Sequence, residues 1–480
     1  MTSSRPRSTP LLQAYRVLSA VVFVLGFPYL LYRRSKHPDE MRERWGQEPS
    51  SAVSGVPATS ATSPPAPGVS SATLSPSRTS SARPVPTGAV WIHAASLGEV
   101  EAVRAWMEDR PLRDGVSWFV TVTSTSARRR APERLGPEVA VRFAPLDQDG
   151  PVRRFLARHE PRALILVETE LWPITLDLCR RAGVPVYIAS GRISPKGWST
   201  MAWARSLYRE VASAVRAAAV QGNADEERFA ALGIAPTCVC GNVKYRVPGS
   251  SERDDTVARS EEETRFRGLP IWVIGSLRKG EELLLRVARE VGEQGGYVVI
   301  APRHLRERSA WVEACRKAGV EPVLRSETPE EVLTDADAFQ ELFAPPRHDG
   351  PRVLLVDVHG ELRSWYARAA AASVGGTWMR IGGHNLFEPL SVGVPVSFGP
   401  YIENVRDVAD AALIHGGGFQ TSDPAALREW VQRCLDRASR QKTERSALHT
   451  ARVLAGAGER TRACLSAAEA AEVEGGIFRP

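Results

Sequence analysis

Short apolar runs alternate with stretches of helical period along most of the chain. The first series of runs reads AVWIHA, WFVTVTS, VAVRFAP, ALILVE, VPVYIAS and TCVCG, and it begins at Ala89. After a charged stretch that is poor in apolar residues, the pattern restarts with IWVIGS, YVVIAPRH, VLLVD, ASVGG and VPVSFGP. Strands that alternate with helices are typical of βαβ units. The pattern therefore predicts an α/β protein with two doubly wound domains, each built on a parallel sheet.

The predicted domain organisation follows from changes in composition along the chain. A chain of 480 residues, of which 43% are hydrophobic, can fill two cores. A segment rich in Ser, Pro, Ala and Thr is predicted to be a disordered linker. The last region is purely helical in pattern and is expected to pack across both domains. The predicted segments are an N-terminal membrane anchor with a basic flank (1–47), the linker (48–88), a first Rossmann-like domain (89–247), a polar connector (248–269), a second Rossmann-like domain (270–424), and helices with a tail (425–480).

The apolar run from Val17 to Tyr32 predicts attachment to a membrane. Three of the four residues after the run are basic, and no cleavage site of small residues follows it. Both features argue against a secretory signal peptide. The run is short for a spanning helix and contains Gly26 and Pro28, so an interfacial helix stays open, as does a buried helix of a soluble protein. The basic flank is expected to keep the downstream domains in the cytoplasm.

The charge of the chain favours an anionic partner. The formal net charge is +7, which suits a membrane surface or a phosphorylated substrate. Basic blocks interleaved with aromatic residues are absent from the sequence, so nucleic acid is not expected. The six cysteines have neither a CxxC motif nor a zinc-site spacing with histidine, and they are predicted to be reduced core thiols. HExxH, Walker A and GxSxG motifs are also absent, and a metal-free, nucleotide-using α/β enzyme stays open.

Polar and glycine-rich segments follow the predicted strands repeatedly. In open α/β sheets, ligands bind at the carboxyl ends of the strands, so each predicted domain is expected to carry one binding edge. The segments of the first domain are 93–99, 168–173, 191–194 and 241–244, and those of the second are 275–276 with 280–282, 302–304, 357–361 and the stretch 374–400.

Three charged residues of the first domain are candidates for catalysis. Glu99 follows Gly98, which is expected to allow a tight turn that presents the carboxylate as a general base for an acceptor hydroxyl. A first-turn glutamate that complements the helix dipole is the alternative. Glu168 and Lys244 are candidates to stabilise charge as a leaving group departs, or they are an ordinary ion pair and a solvated lysine. His93 lies within a strand and is expected to be structural.

The stretch from 374 to 400 is the candidate nucleotide site of the second domain. Two glycine pairs precede His384 and Asn385 at a predicted helix start, where backbone N–H groups suit a phosphate and Glu388 suits the hydroxyls of a ribose. A glycine-rich turn before a helix whose dipole Glu388 complements is the alternative. Arg303 follows a buried strand and is a candidate phosphate contact, with His304 as a polar neighbour.

These motifs together resemble the 3-deoxy-D-manno-octulosonic acid (Kdo) transferases of lipopolysaccharide assembly. WIHAASLGE, RRFLARHEPRALILVETELWP, GRIS, GNVKY, GEE, PRH, HGEL and GGHNLFEPLSVGVPVSFGP occur in the order found in that family, and the apolar N-terminus followed by MRERWG is similar too. The resemblance extends from about Leu11 to beyond Asp407. It implies a GT-B fold, in which two Rossmann-like domains face a cleft and bind the acceptor on the N-terminal half and the nucleotide sugar on the C-terminal half.

The resemblance also implies a reaction. The family transfers Kdo from CMP-Kdo to a lipid A precursor at the cytoplasmic face of the inner membrane, with inversion and without a metal or other cofactor. By position, Glu99 matches the proton acceptor of the family, and Glu168 with Lys244 matches its transition-state-stabilising pair. The positions that match its CMP-contacting segments are Pro302, Arg303, His359, Gly360, Glu361, Asn385, Leu386, Phe387 and Glu388.

The sequence departs from the family pattern in three places. The linker at 48–88 is longer than usual, Val358 and His359 replace the more usual Thr and Met, and Leu386-Phe387 replaces Pro-Leu, which removes a preorganising proline from a helix start. Two other functions stay open on the sequence alone. One is a GT-B glycosyltransferase for a different nucleotide sugar, and the other is a catalytically silent nucleotide-binding protein tethered at the membrane.

Overall fold

The computed structural model describes residues 10–25, 32–33, 35–47, 83–247, 266, 268–344, 350–470 and 476–478. Most of the predicted linker (48–82), most of the predicted connector (248–269) and the end of the apolar segment (26–31) lie outside these residues. The described residues form two compact units. Unit 1 comprises the residues up to Lys244 together with those from Ala457 on, and unit 2 comprises Tyr245–Gly456.

Unit 1 is built on a seven-stranded sheet in which every pair of neighbouring strands is parallel. The strand order is β3-β2-β1-β4-β5-β6-β7. The chain runs outward from β1 on one side and returns to β4 on the other, so the switch in strand order lies between β1 and β4. The strands are β1 (Val90–His93), β2 (Trp118–Val122), β3 (Ala140–Phe143), β4 (Ala163–Val167), β5 (Val186–Gly191), β6 (Val215–Val220) and β7 (Thr237–Val239).

Helices cover both faces of this sheet. Three of them begin at serine residues, Ser96, Ser124 and Ser194, whose side chains accept a backbone N–H of the first turn. The described helices of this part of the chain are α1 (Pro10–Leu25), α2 (Pro38–Arg44), α3 (Leu97–Glu108), α4 (Thr125–Leu135), α5 (Asp149–His159), α6 (Pro173–Ala182), α7 (Pro195–Thr200), α8 (Arg205–Val211) and α9 (Asn223–Ala231).

Alternating residues of the strands fill two apolar layers. In β1, Trp91 packs with Phe155 on one face of the sheet, whereas Val90 and Ile92 pack with Trp106 on the other. The strands of a parallel sheet that is buried on both faces are apolar along their whole length. The continuous apolar runs in the sequence therefore predict strands.

Unit 2 is built on a second seven-stranded sheet, again with only parallel pairs. Its order is β10-β11-β9-β8-β12-β13-β14, and its switch point lies between β8 and β12. The strands are β8 (Ile271–Leu277), β9 (Tyr297–Pro302), β10 (Glu321–Leu324), β11 (Arg352–Leu355), β12 (Ala371–Val374), β13 (Val396–Phe398) and β14 (Gly418–Gln420). The predicted α/β class with two parallel-sheet domains is confirmed.

The helices of unit 2 are α10 (Leu283–Glu293), α11 (Arg308–Lys317), α12 (Glu330–Thr334), α13 (Ala336–Leu342), α14 (Leu362–Arg368), α15 (Phe387–Ser391), α16 (Arg406–Ile414), α17 (Pro424–Leu435) and α18 (Arg437–Ala455). The final helix, α19 (Ala457–Ala470), belongs to unit 1. The helical region predicted from residue 425 on is thus divided between the two units.

A disulfide joins α19 to the sheet of unit 1. Cys464 on α19 bonds to Cys238 in β7. The prediction of reduced thiols is therefore wrong for this pair, because two cysteines far apart in sequence meet where the last helix packs on the last strand. The other four cysteines are free and buried, as predicted.

The described part of the N-terminal apolar segment is a helix packed on unit 1. On one side of α1, Leu12 is only 2% exposed, the Tyr15 hydroxyl donates to Asp147, and Arg16 pairs with Asp177. The opposite side exposes five aliphatic side chains, those of Leu11, Val17, Leu18, Val21 and Val22. Within the described residues, we find no helix long and apolar enough to cross a bilayer.

Candidate active site

The candidate catalytic residues of unit 1 lie at the carboxyl edge of its sheet. The segment from His93 to Glu99 begins at the last residue of β1. The segment that begins at Glu168 follows β4, the direct neighbour of β1. Lys244 lies beyond β7 and forms an ion pair with Glu168. The predicted proton acceptor and the predicted stabilising pair therefore belong to one edge of one sheet, at its switch point.

Glu99 lies in the first turn of α3 and is hydrogen-bonded to Ser96, the residue that caps this helix. The Ser96 hydroxyl donates to Glu99 Oε1 at 2.7 Å, and the Glu99 backbone N–H donates to Ser96 Oγ at 3.3 Å. The other carboxylate oxygen accepts the backbone N–H of Ala95 at 2.8 Å. A carboxylate has about four lone-pair sites, so these bonds fix its orientation and leave it able to accept a proton.

The environment of Glu99 favours a basic carboxylate. Burial raises the pKa of Glu99, and the negative charges of Glu168 and Glu170 raise it further, although the bonds from Ser96 and Ala95 act in the opposite direction. The net effect is a raised pKa. A carboxylate with a raised pKa is a stronger general base at neutral pH than an exposed one.

Gly98 does not have the role expected for it. It lies inside the first turn of α3 without a positive φ, so it makes no tight turn. A Cβ at Gly98 would lie 3.8 Å from Lys244 Nζ, which places the ammonium group beside the helix turn that carries Glu99.

Glu168 and Lys244 form a direct ion pair in a strained backbone setting. Lys244 Nζ donates to Glu168 Oε1 at 2.5 Å, and both side chains are partly exposed. Glu168 has φ +63°, a left-handed conformation that residues with a side chain rarely adopt. Such strain concentrates at functional sites, because a selected side chain is retained there at a cost in stability.

This strain gives a prediction about stability. Glu168→Gly is expected to be more stable than Glu168→Ala by about 1 kcal/mol, because only glycine adopts this φ without strain. Both variants lose the carboxylate and its ion pair, so the difference between them isolates the effect of the backbone. Thermal unfolding should give a melting temperature about 2 to 4 °C higher for the glycine variant. An alanine variant with an equal or higher melting temperature would contradict the role of the backbone at this position.

In unit 2, one buried carboxylate joins the loops that follow β8 and β12. Glu281 is fully buried. Its Oε2 accepts the backbone N–H of Arg278 at 2.9 Å, and its Oε1 accepts that of Trp378 at 3.0 Å. Because β8 and β12 are neighbours at the switch point, these bonds fix the edge at which the candidate nucleotide segment begins.

Two arginine and two histidine side chains, those of Arg278, Arg303, His304 and His384, gather at this edge. Arg278 Nη1 donates to His304 Nε2 at 2.6 Å. Burial lowers the pKa of His384 to about 4, and the nearby charges of Arg303, Arg278 and His304 contribute to the shift. Gly376 has φ +76°, and a Cβ there would lie 2.7 Å from the His384 ring, so glycine is needed for this approach. The cluster makes the edge suitable for an anion.

The predicted helix start at 385–388 is present, but its residues differ in what they offer a ligand. Asn385 is exposed and its side-chain oxygen accepts the backbone N–H of Phe387 at 3.1 Å. Leu386 and Phe387 are buried, and Phe387 stacks on Tyr245 at a ring distance of 4.6 Å. Burial raises the pKa of Glu388, and the positive charge of Arg363 partly opposes this shift. Leu386 and Phe387 can therefore offer a ligand only their backbone.

The other predicted nucleotide contacts lie after β9 and β11. Pro302 ends β9 and directly precedes the exposed Arg303. His359 and Gly360 are exposed in the loop after β11, and Gly360 has φ +91°. Glu361 accepts a hydrogen bond from Arg325 at 2.8 Å, so its carboxylate already has a partner within unit 2.

Sequence reasoning missed Arg278. The residue follows a buried strand of the sheet and precedes a helix, which is the same local signal that identified Arg303. The glycines and glutamates around Arg278 were recognised, whereas the arginine between them was not.

Comparison with known proteins decides the family. Residues 62–247 match the family model described as "3-Deoxy-D-manno-octulosonic-acid transferase (kdotransferase)". A 3-deoxy-D-manno-octulosonic acid transferase of Chlamydophila psittaci is 31% identical over 340 residues, which cover 69% of this chain and 74% of the relative. The chain belongs to the Kdo transferase family.

A second Kdo transferase, from Bordetella pertussis, is 29% identical over 79% of this chain and 87% of its own length. The crystal structure of a UDP-N-acetylglucosamine 2-epimerase is similar in fold, with a TM-score of 0.50, 12% identity, and coverage of 82% of this chain and 100% of that chain. The family predicted from the motifs is confirmed. The predicted enzyme class is confirmed with it: the chain is a glycosyltransferase of lipopolysaccharide assembly.

Proposed function

We propose that this Kdo transferase moves Kdo from CMP-Kdo to a lipid A precursor, with Glu99 as the general base. The observation that carries the proposal is the buried Glu99 carboxylate, whose pKa is raised and which lies at the same sheet edge as the Glu168–Lys244 ion pair. The reaction is inverting and uses no metal in this proposal.

The proposed step is a single displacement. Glu99 takes the proton of an acceptor hydroxyl, whose oxygen bonds to the anomeric carbon of Kdo. The bond between that carbon and the phosphate oxygen breaks, and CMP leaves with the electron pair. Lys244 supplies positive charge for the negative charge that develops, and Glu168 holds Lys244 in place through their ion pair.

Unit 2 is the proposed site for the donor. CMP-Kdo carries a phosphodiester and a sugar carboxylate, and both anions suit the positive charges of Arg278 and Arg303, which lie near His304 and His384. Asn385 and Glu388 are proposed to hold the cytidine nucleotide. Burial keeps His384 neutral, and its Nε2 has no hydrogen-bond partner among the described residues.

Release of CMP tests the proposed reaction. Purified protein is incubated with CMP-Kdo, with and without a lipid A precursor, and CMP is quantified. The proposal predicts release that depends on the acceptor. Tight CMP binding without release in either mixture would favour the catalytically silent binding protein instead.

Nucleotide competition tests the donor. Displacement of bound CMP-Kdo by CMP, UDP and GDP is measured by equilibrium binding. The proposal predicts a clear preference for CMP, because the donor is a cytidine nucleotide. A preference for UDP would favour a GT-B glycosyltransferase that uses another nucleotide sugar.

We also propose that the chain acts at the inner membrane, with its two units in the cytoplasm and α1 lying in the lipid interface. Contacts of Tyr15 and Arg16 hold one side of α1 on unit 1, and the other side exposes a row of aliphatic side chains. An amphipathic helix of this kind inserts its apolar face among lipid headgroups and acyl chains.

The membrane proposal predicts loss of lipid binding when this face is made polar. Leu18→Ser with Val22→Ser is expected to lower the fraction of protein that floats with anionic phospholipid vesicles by about tenfold, since two aliphatic side chains leave the lipid. The matched control is Leu413→Ser with Ile414→Ser, which changes two exposed aliphatic residues of α16 in unit 2. Flotation of the α1 variant at the level of the control would contradict the proposal.

A further inference from the structure

His93 is held by a hydrogen-bond network that fixes its tautomer. The Trp91 indole N–H donates to Thr121 Oγ1 at 2.7 Å, and Thr121 Oγ1 lies 2.9 Å from His93 Nδ1. The hydroxyl of Thr121 still has one proton to donate, and among its contacts in the described chain only His93 Nδ1 can accept it. His93 therefore carries its own proton on Nε2 when the ring is neutral.

The Nε2 atom of His93 points at Glu170 without bonding to it. His93 is 3% exposed, and its Nε2 has no hydrogen-bond partner among the described residues. Nε2 and Glu170 Oε2 are 3.9 Å apart, which is too long for a hydrogen bond. This distance is shorter than two hydrogen bonds of about 2.8 Å end to end, so one hydroxyl oxygen can bond both atoms.

Glu170 is placed to accept a proton from such a hydroxyl. Its Oε2 accepts the indole N–H of Trp172 at 2.6 Å, and Trp172 packs edge-on against the His93 ring at a centroid distance of 5.7 Å. The hydrogen bond from the Trp172 indole N–H favours the ionised form of the Glu170 carboxylate. The Glu170 side chain is 29% exposed, and His93, Glu170 and Trp172 line a cavity of about 10 Å³, which is room for about one oxygen atom.

We propose that His93 and Glu170 form a binding site for one hydroxyl group of a substrate sugar. The hydroxyl accepts the proton of His93 Nε2 and donates its own proton to Glu170 Oε2, so the site recognises a group that is both donor and acceptor. It rejects a phosphate or carboxylate, because Glu170 is negatively charged and repels them.

The position of His93 and Glu170 in unit 1 suits them to orient a substrate sugar. Glu170 follows β4 and Glu99 follows β1, the neighbouring strand, so the hydroxyl site and the proposed base lie at the same edge of the sheet. A second hydrogen bond near the reacting group orients a sugar, and Glu170 is therefore a positioning residue. The inference rests on the proposed function and names the group that this part of the site binds. The sugar is either the acceptor or the Kdo of the donor.

The test compares Glu170→Ala and Glu170→Gln with a matched control. KM for each substrate, kcat, and the dissociation constants of CMP-Kdo and of the lipid acceptor are measured. Glu170→Ala removes a hydrogen bond to a charged group and should raise KM and the dissociation constant of one substrate about tenfold to a hundredfold. Glu170→Gln keeps an acceptor oxygen and should fall between wild type and Glu170→Ala. The control is Glu101→Ala, whose carboxylate is similarly exposed at 31% but pairs with Arg104 and Arg134.

The outcomes separate the sources of the hydroxyl and the two proposals. If KM and the dissociation constant rise only for the acceptor, the hydroxyl belongs to the acceptor. If they rise only for CMP-Kdo, it belongs to the donor. Either result supports the site. Dissociation constants and KM values equal to those of the control would overturn it. If the wild-type protein binds both substrates but transfers no Kdo, the proposed function fails, whereas the dissociation constants still decide the hydroxyl site.

Discussion

Replacing Glu99 with glutamine is expected to lower kcat for Kdo transfer by about a hundredfold or more, with little change in either KM. The amide has the shape of the carboxylate but cannot take a proton from the acceptor. Glutamine keeps one acceptor oxygen for the Ala95 N–H, and its amide NH2 can donate to Ser96 Oγ, so α3 can keep its start. Initial rates of CMP release, measured with the melting temperature of each variant, check this result.

Glu101→Gln is the control for this variant, because it makes the same chemical change on the same helix. Glu101 pairs with arginine side chains away from Glu168 and is not part of the proposed site. The Glu101→Gln variant should therefore transfer Kdo at the wild-type rate. Wild-type kcat for Glu99→Gln would show that Glu99 serves only as a helix cap, which is the alternative that the sequence left open.

Replacing Lys244 with methionine is expected to lower kcat by about a hundredfold to a thousandfold, because a positive charge aimed at a developing negative charge is lost. The effect on stability should be small. Both partners of the Glu168–Lys244 pair are partly exposed, and ion pairs of this kind contribute about 0 to 1 kcal/mol to folding. Activity and melting temperature of the same preparations measure both effects.

The chain offers a matched control for the lysine as well. Lys317 forms an ion pair of the same 2.5 Å length with Glu313 on the exposed face of α11. Lys317→Met should leave both kcat and melting temperature near wild type. If Lys244→Met resembles Lys317→Met in kcat, the Glu168–Lys244 pair is only structural.

Much of the fold could be predicted from the sequence, and the exceptions have a physical cause. Three strands were missed: β6 (VRAAAV), β10 (EPVL) and β14 (GFQ). Alanine has a low strand propensity, but in β6 small side chains are buried between helices, and packing decides the conformation. β10 and β14 are short edge strands, where a proline and a glycine are tolerated.

The candidate site was predictable in its residues but not in its local geometry. The spacing of Ser96 and Glu99 is the signature of a capping box, yet the sequence does not say whether such a glutamate is also a base. The left-handed backbone of Glu168 has no signal in the sequence, since glycine or asparagine is the usual residue for it. The tautomer of His93 depends on Thr121 and Trp91, which only the pairing of β1 with β2 brings together.

The N-terminal helix shows a further limit of reading the sequence. Its apolar character is evident, but the roles of Tyr15 and Arg16 depend on Asp147 and Asp177, more than a hundred residues away. These contacts exist only after unit 1 has folded. The apolar run alone therefore did not distinguish a helix that is partly packed on protein from one that is surrounded by lipid.

The mass of the lipid product tests the central claim most directly. Purified protein is incubated with CMP-Kdo and a lipid A precursor, and the lipid fraction is analysed by mass spectrometry for wild type, Glu99→Gln and Glu101→Gln. The account predicts a lipid heavier by one or more Kdo residues with wild type and Glu101→Gln, and unmodified lipid with Glu99→Gln at matched times. Unmodified lipid with the folded wild-type protein, or equal product from Glu99→Gln, would contradict it.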